Sequence, residues 1–475
     1  MARTEIKIGY APTRRNVFSA QEAQRHKKLT LEKIRQLGVR VVDIDDINEE
    51  GLLFGDADVN KIVSKFRAEE VDGVFFPHCN FGTEDLVAKV SKALGKPVLL
   101  WGPRDDAPLK DGFRTRDTQC GLFATGKILR RFNVPFTYIV NSRVDEEVFT
   151  RGYINFTAVC SVVKAFRKIR ILQIAPRPAG FWTMICNEGE LLERFGIEVV
   201  PITLQDIATG VSEIHKQKGM EYTSNLDAFK SGMDVGGISG ADIEKLAALK
   251  TLIRKYCLEY DCSAAAIQCW NALQDATGIM PCVVNGMLTE EWLPVTCETD
   301  IHGAVSSIML QEAAMRTSPV FFADLTVRHP QNDNAELLWH CGNFPPSLAK
   351  EGTCKAIGRH FIFPSHCAGT GEWELKGGDI TVCRFDGDHG EYSLLFGEGK
   401  GVEGPRTKGT YVWFEVKDWP RWEEKIVTGP YVHHCAGVHA KTASVLYEAC
   451  KYIPGLKADP VEPCEEEIGR YLRGV

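Results

Sequence analysis

Strands and helices alternate through the first third of the chain, and this alternation restricts the possible folds more than any other feature. The strand-like segment EIKIGYAP precedes a helical stretch closed by Gly38, and VRVVDID follows as the next strand. The same order returns in VDGVFFP, TEDLVAKVSKALG and KPVLLWG. Strands joined by helical crossovers pair in parallel, and the helices cover both faces of their sheet. We therefore predict an N-terminal α/β domain over residues 1–165.

The rest of the chain divides into two regions of different character. Residues 166–326 continue the alternation, with a long helix from Ala241 to Asp261 ahead of short apolar strands. This pattern predicts a central α/β domain, and the two carboxylates considered as ligands, Glu298 and Asp324, lie within it. Residues 327–475 contain short alternating runs between glycine-rich turns, which predicts a mainly antiparallel β C-terminal domain, and the candidate histidine ligand His434 lies in this region. The expected fold class is α/β, with two Rossmann-like parallel-sheet domains followed by a β-rich domain.

Charge and hydropathy exclude several classes of protein. The net charge of −7 argues against a nucleic-acid or membrane-surface partner, which requires a basic face. No apolar run approaches the roughly 20 residues of a membrane span, and no apolar signal-peptide core follows the first residue. The chain contains 16 cysteines but no CxxC pair, which is typical of reduced, buried thiols. We therefore expect a cytoplasmic protein.

A match to the dinucleotide fingerprint GxGxxG occurs between Gly399 and Gly404. That motif binds a pyrophosphate only when it joins a strand to a helix. Here the strand-like segment TYVWFEV follows. We interpret the motif as a hairpin turn, which disfavours a nicotinamide-dependent dehydrogenase.

The segment VTCETDIH, residues 295–302, places three polar side chains after a short apolar run. We predict a strand ending near Cys297 and a helix opening at Thr299 or Asp300. Asp300 is then a helix N-cap, whose carboxylate accepts backbone N–H groups. Glu298 projects from the carboxyl end of the strand, where α/β sheets place their chemistry. On this interpretation Asp300 and His302 are not metal ligands, and Asp300→Asn has little effect on stability or metal affinity. The alternative is that Asp300 also orients Glu298 or the substrate.

Further candidate ligands follow later in the chain. Asp324 comes after the next apolar strand, PVFFADLT, and two carboxylates at the ends of neighbouring parallel strands suit a metal or an acid–base pair. Histidines occur in LLWHCGN (His340) and in VHHCAGVH (His433, His434 and His439). Because imidazole is the commonest metal-binding side chain, we expect one of these histidines to be a ligand.

Polar residues also follow the strands of the first domain. Arg14, His78, Asn80 and Trp101 lie in loops at the carboxyl ends of three predicted strands. These ends converge on one edge of a parallel sheet. A tryptophan beside polar groups suits a hydroxyl-rich ligand, because its ring covers apolar C–H faces. The sequence therefore predicts a ligand cleft at this edge.

In combination, these motifs make the chain resemble the superfamily of L-fucose isomerase and L-arabinose isomerase, which are metal-dependent aldose–ketose isomerases. The resemblance extends over nearly the full length and rests on PHCNFGTED, LWGPRDD, CNEGELLERFG, CETDIHGA, FFAD, LWHCGN and HHCAGVH. It implies Mn²⁺, or another divalent ion such as Mg²⁺ or Co²⁺, bound by Glu298, Asp324 and His434. It also implies a free sugar of the fucose or arabinose type, isomerised through a cis-enediol with Glu298 and Asp324 as the catalytic acid and base.

The resemblance extends these expectations to the substrate and to the assembly. We expect substrate contacts from Arg14, His78, Asn80, Trp101, Gln268 and His340. The resemblance further implies a homo-oligomer, a hexamer, with active sites between subunits. Whether His340 is a metal ligand, and which carboxylate is the base, both stay open.

Two other functions remain compatible with the sequence. An epimerase, or an isomerase of a charged sugar, would keep the metal site and change the pocket. A non-catalytic sugar-binding protein would keep the polar clefts, but it has no need of a metal triad. Measurement of bound metal separates these two classes, because only the enzymes need the metal site.

Overall fold

The computed structural model describes residues 4–362 and 366–475, which form two compact units. The first unit comprises the described part of Arg3–Lys164 together with Tyr447–Ile453 and Glu465–Val475. The second comprises the described part of Ala165–Leu446 together with Pro454–Cys464. The division after Lys164 lies next to the predicted boundary at residue 165. No helix within the described ranges is long and apolar enough to cross a membrane.

The first unit contains a five-stranded parallel sheet in the order β2-β1-β3-β4-β5. Its strands are β1 Lys7–Tyr10, β2 Arg40–Val42, β3 Gly73–Pro77, β4 Val98–Pro103 and β5 Thr137–Ser142. The intervening helices are α1 Ala20–Gln36, α2 Asp56–Ala68, α3 Glu84–Leu94, α4 Thr118–Arg131 and α5 Glu147–Phe166. Strand β3 is buried along its whole length, as expected for a strand with helices on both faces of its sheet. The α/β prediction for this region is confirmed.

The second unit begins with a four-stranded parallel sheet in the order β7-β6-β8-β9. Its strands are β6 Arg170–Ile174, β7 Glu198–Ile202, β8 Ala264–Ile267 and β9 Val295–Thr296. The helices are α6 Glu188–Glu190, α7 Leu204–Gln217, α8 Met220–Gly232, α9 Gly240–Glu259, α10 Ala272–Thr277, α11 Cys282–Glu290 and α12 Ile301–Ala313. The predicted long helix is α9, which begins at a capping box formed by Ser239 and Asp242.

A nine-stranded, mainly antiparallel sheet completes the second unit, in the order β12-β13-β16-β11-β10-β17-β14-β15-β18. Its strands are β10 Val320–His329, β11 Asn332–His340, β12 Ala356–Arg359, β13 Ala368–Glu374, β14 Gly378–Asp388, β15 Glu391–Val402, β16 Thr410–Glu415, β17 His434–Val438 and β18 Leu456–Pro460. Helices α13 Trp419–Thr428, α14 Ala443–Cys450 and α15 Glu465–Arg473 follow β16, β17 and β18 in the chain. The β-rich C-terminal prediction is confirmed.

Two details of this sheet differ from the sequence interpretation. The segment PVFFADLT begins β10, which pairs antiparallel with β11 and β17 and does not extend the parallel sheet. Only Pro330 and Gln331 separate β10 from β11, and a link this short allows a hairpin but no parallel crossover. Gly399 and Gly401 lie inside β15 rather than in a turn. The exclusion of a dinucleotide motif is unaffected, because no helix follows β15.

Helix α12 lies in the core of the second unit. All of its residues from Ile301 to Ala313 are buried. It contacts β8 of the parallel sheet on one side, and β14 and β17 of the nine-stranded sheet on another. A helix covered on all sides needs no polar face, which explains its nearly continuous apolar and small residues. The first turn of α12 consequently brings the segment around Glu298 next to β17.

Candidate active site

The connection from β9 to α12 has a strained backbone. Glu298 and Thr299 both have positive φ angles, of 52° and 58°. Each left-handed non-glycine residue costs roughly 1–3 kcal/mol and persists only where its surroundings hold it. Asp300 then caps α12, its Oδ1 accepting the N–H of Gly303 at 2.8 Å. The predicted strand end, helix start and N-cap are confirmed.

The carboxylate of Glu298 is buried and held from one side only. Its Oε1 accepts hydrogen bonds from Trp270 Nε1 at 3.0 Å and from Cys269 Sγ at 3.4 Å. Its Oε2 is buried without a hydrogen-bond partner among the described residues. That oxygen lies 3.6 Å from His434 Nε2. The donors on Oε1 therefore leave Oε2 free to bind a cation.

Asp324 and His434 lie directly opposite each other on β10 and β17. Asp324 Oδ1 is 3.3 Å from His434 Nε2 and, within the part of the chain that is described, is buried with no hydrogen bond. Glu298 reaches the same imidazole from the parallel sheet. The expectation of two neighbouring parallel strands is therefore wrong, but the three predicted ligands do converge.

Asp300 has a second contact that the N-cap interpretation missed. Its Oδ2 lies 2.9 Å from His434 Nδ1 and also contacts the guanidinium of Arg384. Burial tends to raise the pKa of Asp300, but Arg384 and His434 outweigh burial and hold that pKa below its ordinary value. The ionised carboxylate accepts the Nδ1–H of His434, so the lone pair of Nε2 faces Glu298 and Asp324. A carboxylate that orients a histidine in this way is common behind metal ligands.

Arg384 is completely buried, and two carboxylates neutralise its charge. Besides Asp300, it contacts Asp386 with an Nε–Oδ2 distance of 2.8 Å. Asp386 in turn lies 2.8 Å from His302 Nδ1. The Nδ1 of His302 is therefore engaged with Asp386, and that His302 is not a metal ligand stays a prediction.

His340 has the opposite orientation to His434. Its Nδ1 accepts the backbone N–H of Cys341 at 2.9 Å. Because a backbone N–H can only donate, the proton of the neutral ring is on Nε2. That nitrogen is 3.8 Å from Glu298 Oε2 and 3.9 Å from Asp324 Oδ1. This arrangement favours a hydrogen-bond donor facing the site over a metal ligand.

The electrostatic field of the cluster favours a cation. Burial tends to lower the pKa of His340, but Asp324 and Glu298 outweigh it and raise that pKa, so the ring keeps its Nε2 proton. The pKa of His434 is likewise above its ordinary value, because Asp300, Asp324 and Glu298 outweigh burial. Two buried carboxylate oxygens without donors, beside a correctly oriented imidazole nitrogen, fit a divalent ion such as Mn²⁺ or Mg²⁺. His433 is close enough to Asp324 and His434 to supply a further ligand.

Gln268 follows β8 at the same edge of the parallel sheet. Its backbone N–H donates to the carbonyl of Ile174, and its side chain is half-buried.

Sequence reasoning missed Trp270 and Arg384, although an arginine inside the apolar strand ITVCRF was a usable signal. No sequence pattern identifies Trp270 as a donor to Glu298, because the pair depends on tertiary packing.

In the first unit, the side chains expected to line a sugar cleft are buried. Arg14 forms a two-point ion pair with Glu50, at 2.7 and 2.6 Å. His78 Nε2 lies 2.8 Å from Thr125 Oγ1, and burial lowers the pKa of His78 to about 4.

Asn80 and Trp101 are likewise occupied. Asn80 accepts the backbone N–H groups of Arg15 and Phe81. Trp101 is fully buried and donates to Ser142 Oγ at 3.1 Å. The structure thus corrects the expectation of an open cleft lined by these four side chains. Their contact with substrate stays a prediction.

Two family models match the chain. Residues 9–167 match the model described as "Fucose/sulfoquinovose isomerase, N-terminal domain". Residues 338–455 match "L-fucose isomerase, C-terminal domain". Together with the fold and the buried cluster, these matches define the class of protein, an aldose–ketose isomerase. The chain belongs to the L-fucose isomerase-like superfamily, and the resemblance seen in its motifs is confirmed.

Similar proteins carry a more specific description. A protein from Priestia aryabhattai described as "Sulfoquinovose isomerase" is 26% identical over 412 residues, which cover 86% of this chain and 88% of its own. A protein of the same description from Alkalicoccus urumqiensis is 26% identical and covers 79% of this chain and 83% of its own. A solved solute-binding protein from Actinobacillus succinogenes 130z with bound D-allose covers 65% of this chain and 92% of its own, at 12% identity. Its TM-score of 0.16 is too low to indicate a shared fold.

Proposed function

We propose that this isomerase interconverts sulfoquinovose, an aldose with a sulfonate on C6, and the corresponding 2-ketose. The observation that carries the chemistry is the convergence of Glu298 Oε2, Asp324 Oδ1 and His434 Nε2 in one buried cluster. The relatives support this substrate, because they are described as sulfoquinovose isomerases, whereas the motifs led us to expect a sugar of the fucose or arabinose type.

Glu298, Asp324 and His434 would hold the divalent ion. When bound, such an ion supplies Lewis acidity to the sugar oxygens next to the reacting carbons. Mn²⁺ is the expected ion, as the resemblance implies, and Mg²⁺ is compatible with the same ligands.

The chain's own groups move the proton between C1 and C2. Glu298 and Asp324 act as the acid and the base, since both carboxylates belong to the buried cluster and each has an oxygen that accepts no hydrogen bond among the described residues. His340 donates its Nε2–H toward the substrate oxygens. The donors Trp270 and Cys269 orient Glu298, and Asp300 orients His434. Burial of the cluster excludes bulk water from the transferring proton.

A positively charged side chain suited to the sulfonate, that of Arg177, lies in the loop after β6. Ala175 accepts a hydrogen bond from Thr299 at 3.4 Å, and the ring of Phe181 packs on Trp270 with centroids 5.0 Å apart. In sequence, Arg177 lies between Ala175 and Phe181, whose partners are Thr299, next to Glu298 in the chain, and Trp270, which donates to Glu298. Its guanidinium donates only to nearby carbonyls, and no carboxylate among the described residues pairs with it. Arg177 is therefore available for an anionic group such as a sulfonate, two of whose oxygens can accept parallel N–H groups from one guanidinium.

We expect the wild-type enzyme to convert sulfoquinovose with a kcat/KM about 10–100-fold higher than D-glucose, its C6-hydroxyl counterpart. A hydrogen bond to a charged group contributes about 1.5–3 kcal/mol, which corresponds to this range. Arg177→Gln should remove the preference by lowering kcat/KM for sulfoquinovose, mainly through KM, and should leave glucose turnover unchanged. Ketose formation from both sugars measures this.

Arg170→Gln is the matched control, because it removes a guanidinium from the opposite end of β6. An equal loss for both sugars in Arg177→Gln would refute the role of Arg177. A wild-type enzyme that prefers L-fucose or L-arabinose over sulfoquinovose would instead refute the substrate.

We also propose that the chain forms a homo-oligomer, as the resemblance implies. Leu109, Phe113 and Phe123 of the first unit are large apolar side chains that are more than half exposed. Exposed apolar side chains mark a surface that contacts another chain where they form one contiguous patch. Light scattering that gives the mass of a monomer would contradict this.

A further inference from the structure

We propose that Cys269, Cys297 and Glu298 form a second metal site, selective for thiophilic cations such as Cd²⁺ and Zn²⁺. One ligand atom from each of the three buried residues lies within 4.8 Å of the other two. Cys269 Sγ and Glu298 Oε1 are 3.4 Å apart. Bonds of about 2.3 Å to sulfur and 2.1 Å to oxygen place tetrahedral ligand atoms roughly 3.5–3.8 Å apart. The distance from Cys269 to Glu298 is close to this spacing, and the other two distances between ligand atoms are within 4.8 Å.

The surroundings of Cys297 suit a thiolate ligand. Its Sγ accepts the Nδ2–H groups of Asn285 at 3.4 Å and Asn343 at 3.6 Å. Both amides are buried. Amide N–H groups directed at a sulfur stabilise the negative charge of a metal-bound thiolate. This second observation is independent of the spacing of the ligands.

Further thiols lie next to the three proposed ligands, and sulfur atoms favour thiophilic metal ions. Cys269, Cys282 and Cys297 belong to one buried cluster, against which Cys341 packs. All are free thiols. Sulfur ligands select Zn²⁺ and similar ions over Mn²⁺ or Mg²⁺, which prefer oxygen. Binding of one Cd²⁺ by two thiols releases two protons to solvent and involves no change of oxidation state.

The two sites would share Glu298 through different oxygens. Oε2 faces Asp324 and His434, whereas Oε1 faces the thiols. A thiophilic ion on Oε1 replaces the hydrogen bonds from Trp270 and Cys269 and fixes the carboxylate in place. We therefore expect Cd²⁺ to inhibit the Mn²⁺-loaded enzyme.

A Cd²⁺ titration of the Mn²⁺-loaded enzyme tests the site through thiolate-to-cadmium ultraviolet absorption and through residual activity. We expect one thiolate-bound Cd²⁺ per chain, with parallel loss of activity. Cys269→Ser and Cys297→Ser should each abolish the absorption and raise the half-inhibiting Cd²⁺ concentration at least about tenfold, each relative to its own Cd²⁺-free rate. Cys79→Ser, which removes a buried thiol of the first unit, is the control.

Either of two results would overturn the site. Absorption that persists in both variants would place the thiolate ligands elsewhere, and inhibition without absorption would mean that Cd²⁺ only displaces the ion at the oxygen and nitrogen ligands. The inhibition measurement rests on the proposed function, whereas the absorption does not. An enzyme that fails to isomerise sulfoquinovose therefore leaves the test of the thiol site intact.

Discussion

Glu298→Gln is expected to lower kcat for sulfoquinovose by about 10²-fold or more, the typical contribution of a general acid–base group. Glutamine keeps the shape of the side chain and its acceptor oxygen for Trp270, but it loses the negative charge and the basicity. The left-handed backbone at this position and the packing around it are retained, so thermal unfolding should change little. Steady-state kinetics and a melting curve on the same preparation measure both effects.

Glu290→Gln provides the matched control. Glu290 lies at the end of α11 and accepts the backbone N–H of Ser347, away from the cluster. Its substitution should leave kcat unchanged. Near-normal turnover in Glu298→Gln would exclude Glu298 from the chemistry.

Asp300→Asn is expected to weaken Mn²⁺ binding by about 10–100-fold, the usual effect of losing a carboxylate that orients a histidine ligand. The same change should reduce the free energy of unfolding by about 3 kcal/mol, because Arg384 loses one of its two buried partners. This expectation replaces the mild effect inferred from helix capping alone. Isothermal titration with Mn²⁺ and chemical denaturation measure the two quantities.

Asp386→Asn is the control that distinguishes a loss of His434 orientation from a general loss of protein stability. Asp386 also contacts Arg384 but does not reach His434. Its loss should lower stability while leaving Mn²⁺ affinity largely unchanged. Equal loss of affinity in both variants would mean that Asp300 acts only through stability.

The pH dependence of stability should also change in Asp300→Asn. The pKa of Asp300 is lowered in the folded state, so its stabilising contribution is present above the unfolded carboxylate pKa of about 4. That contribution is lost as the pH falls toward the folded-state pKa. The variant should therefore lose less stability on acidification than the wild-type protein.

Local patterns were sufficient to predict much of the fold and the candidate ligands. Strand–helix alternation predicted the two parallel sheets, and the cap at Asp300 predicted the start of α12. Glu298, Asp324 and His434 were identified through the resemblance carried by short motifs. These features depend on neighbouring residues or on characteristic segments, which a sequence displays directly.

Long-range packing limited the remaining predictions. Arg384 meets Asp300 across 84 positions, and His434 meets it across 134. Neither pairing has a periodic or local signal. Asp324 was placed on a parallel strand because its apolar run did not reveal which sheet it joins. Trp101 was expected to face a cleft because its loop is polar, yet the helix packed beneath its strand buries the ring against Phe149.

The proposed metal-binding role of the cluster in catalysis is tested most directly by the rate of ketose formation from sulfoquinovose after metal removal. The protein is treated with a chelator until elemental analysis finds no bound divalent ion, and it is then assayed before and after addition of Mn²⁺. If Glu298, Asp324 and His434 hold the ion required for isomerisation, activity should fall to background and return at about one Mn²⁺ per chain. Full activity in the verified metal-free protein would contradict that role.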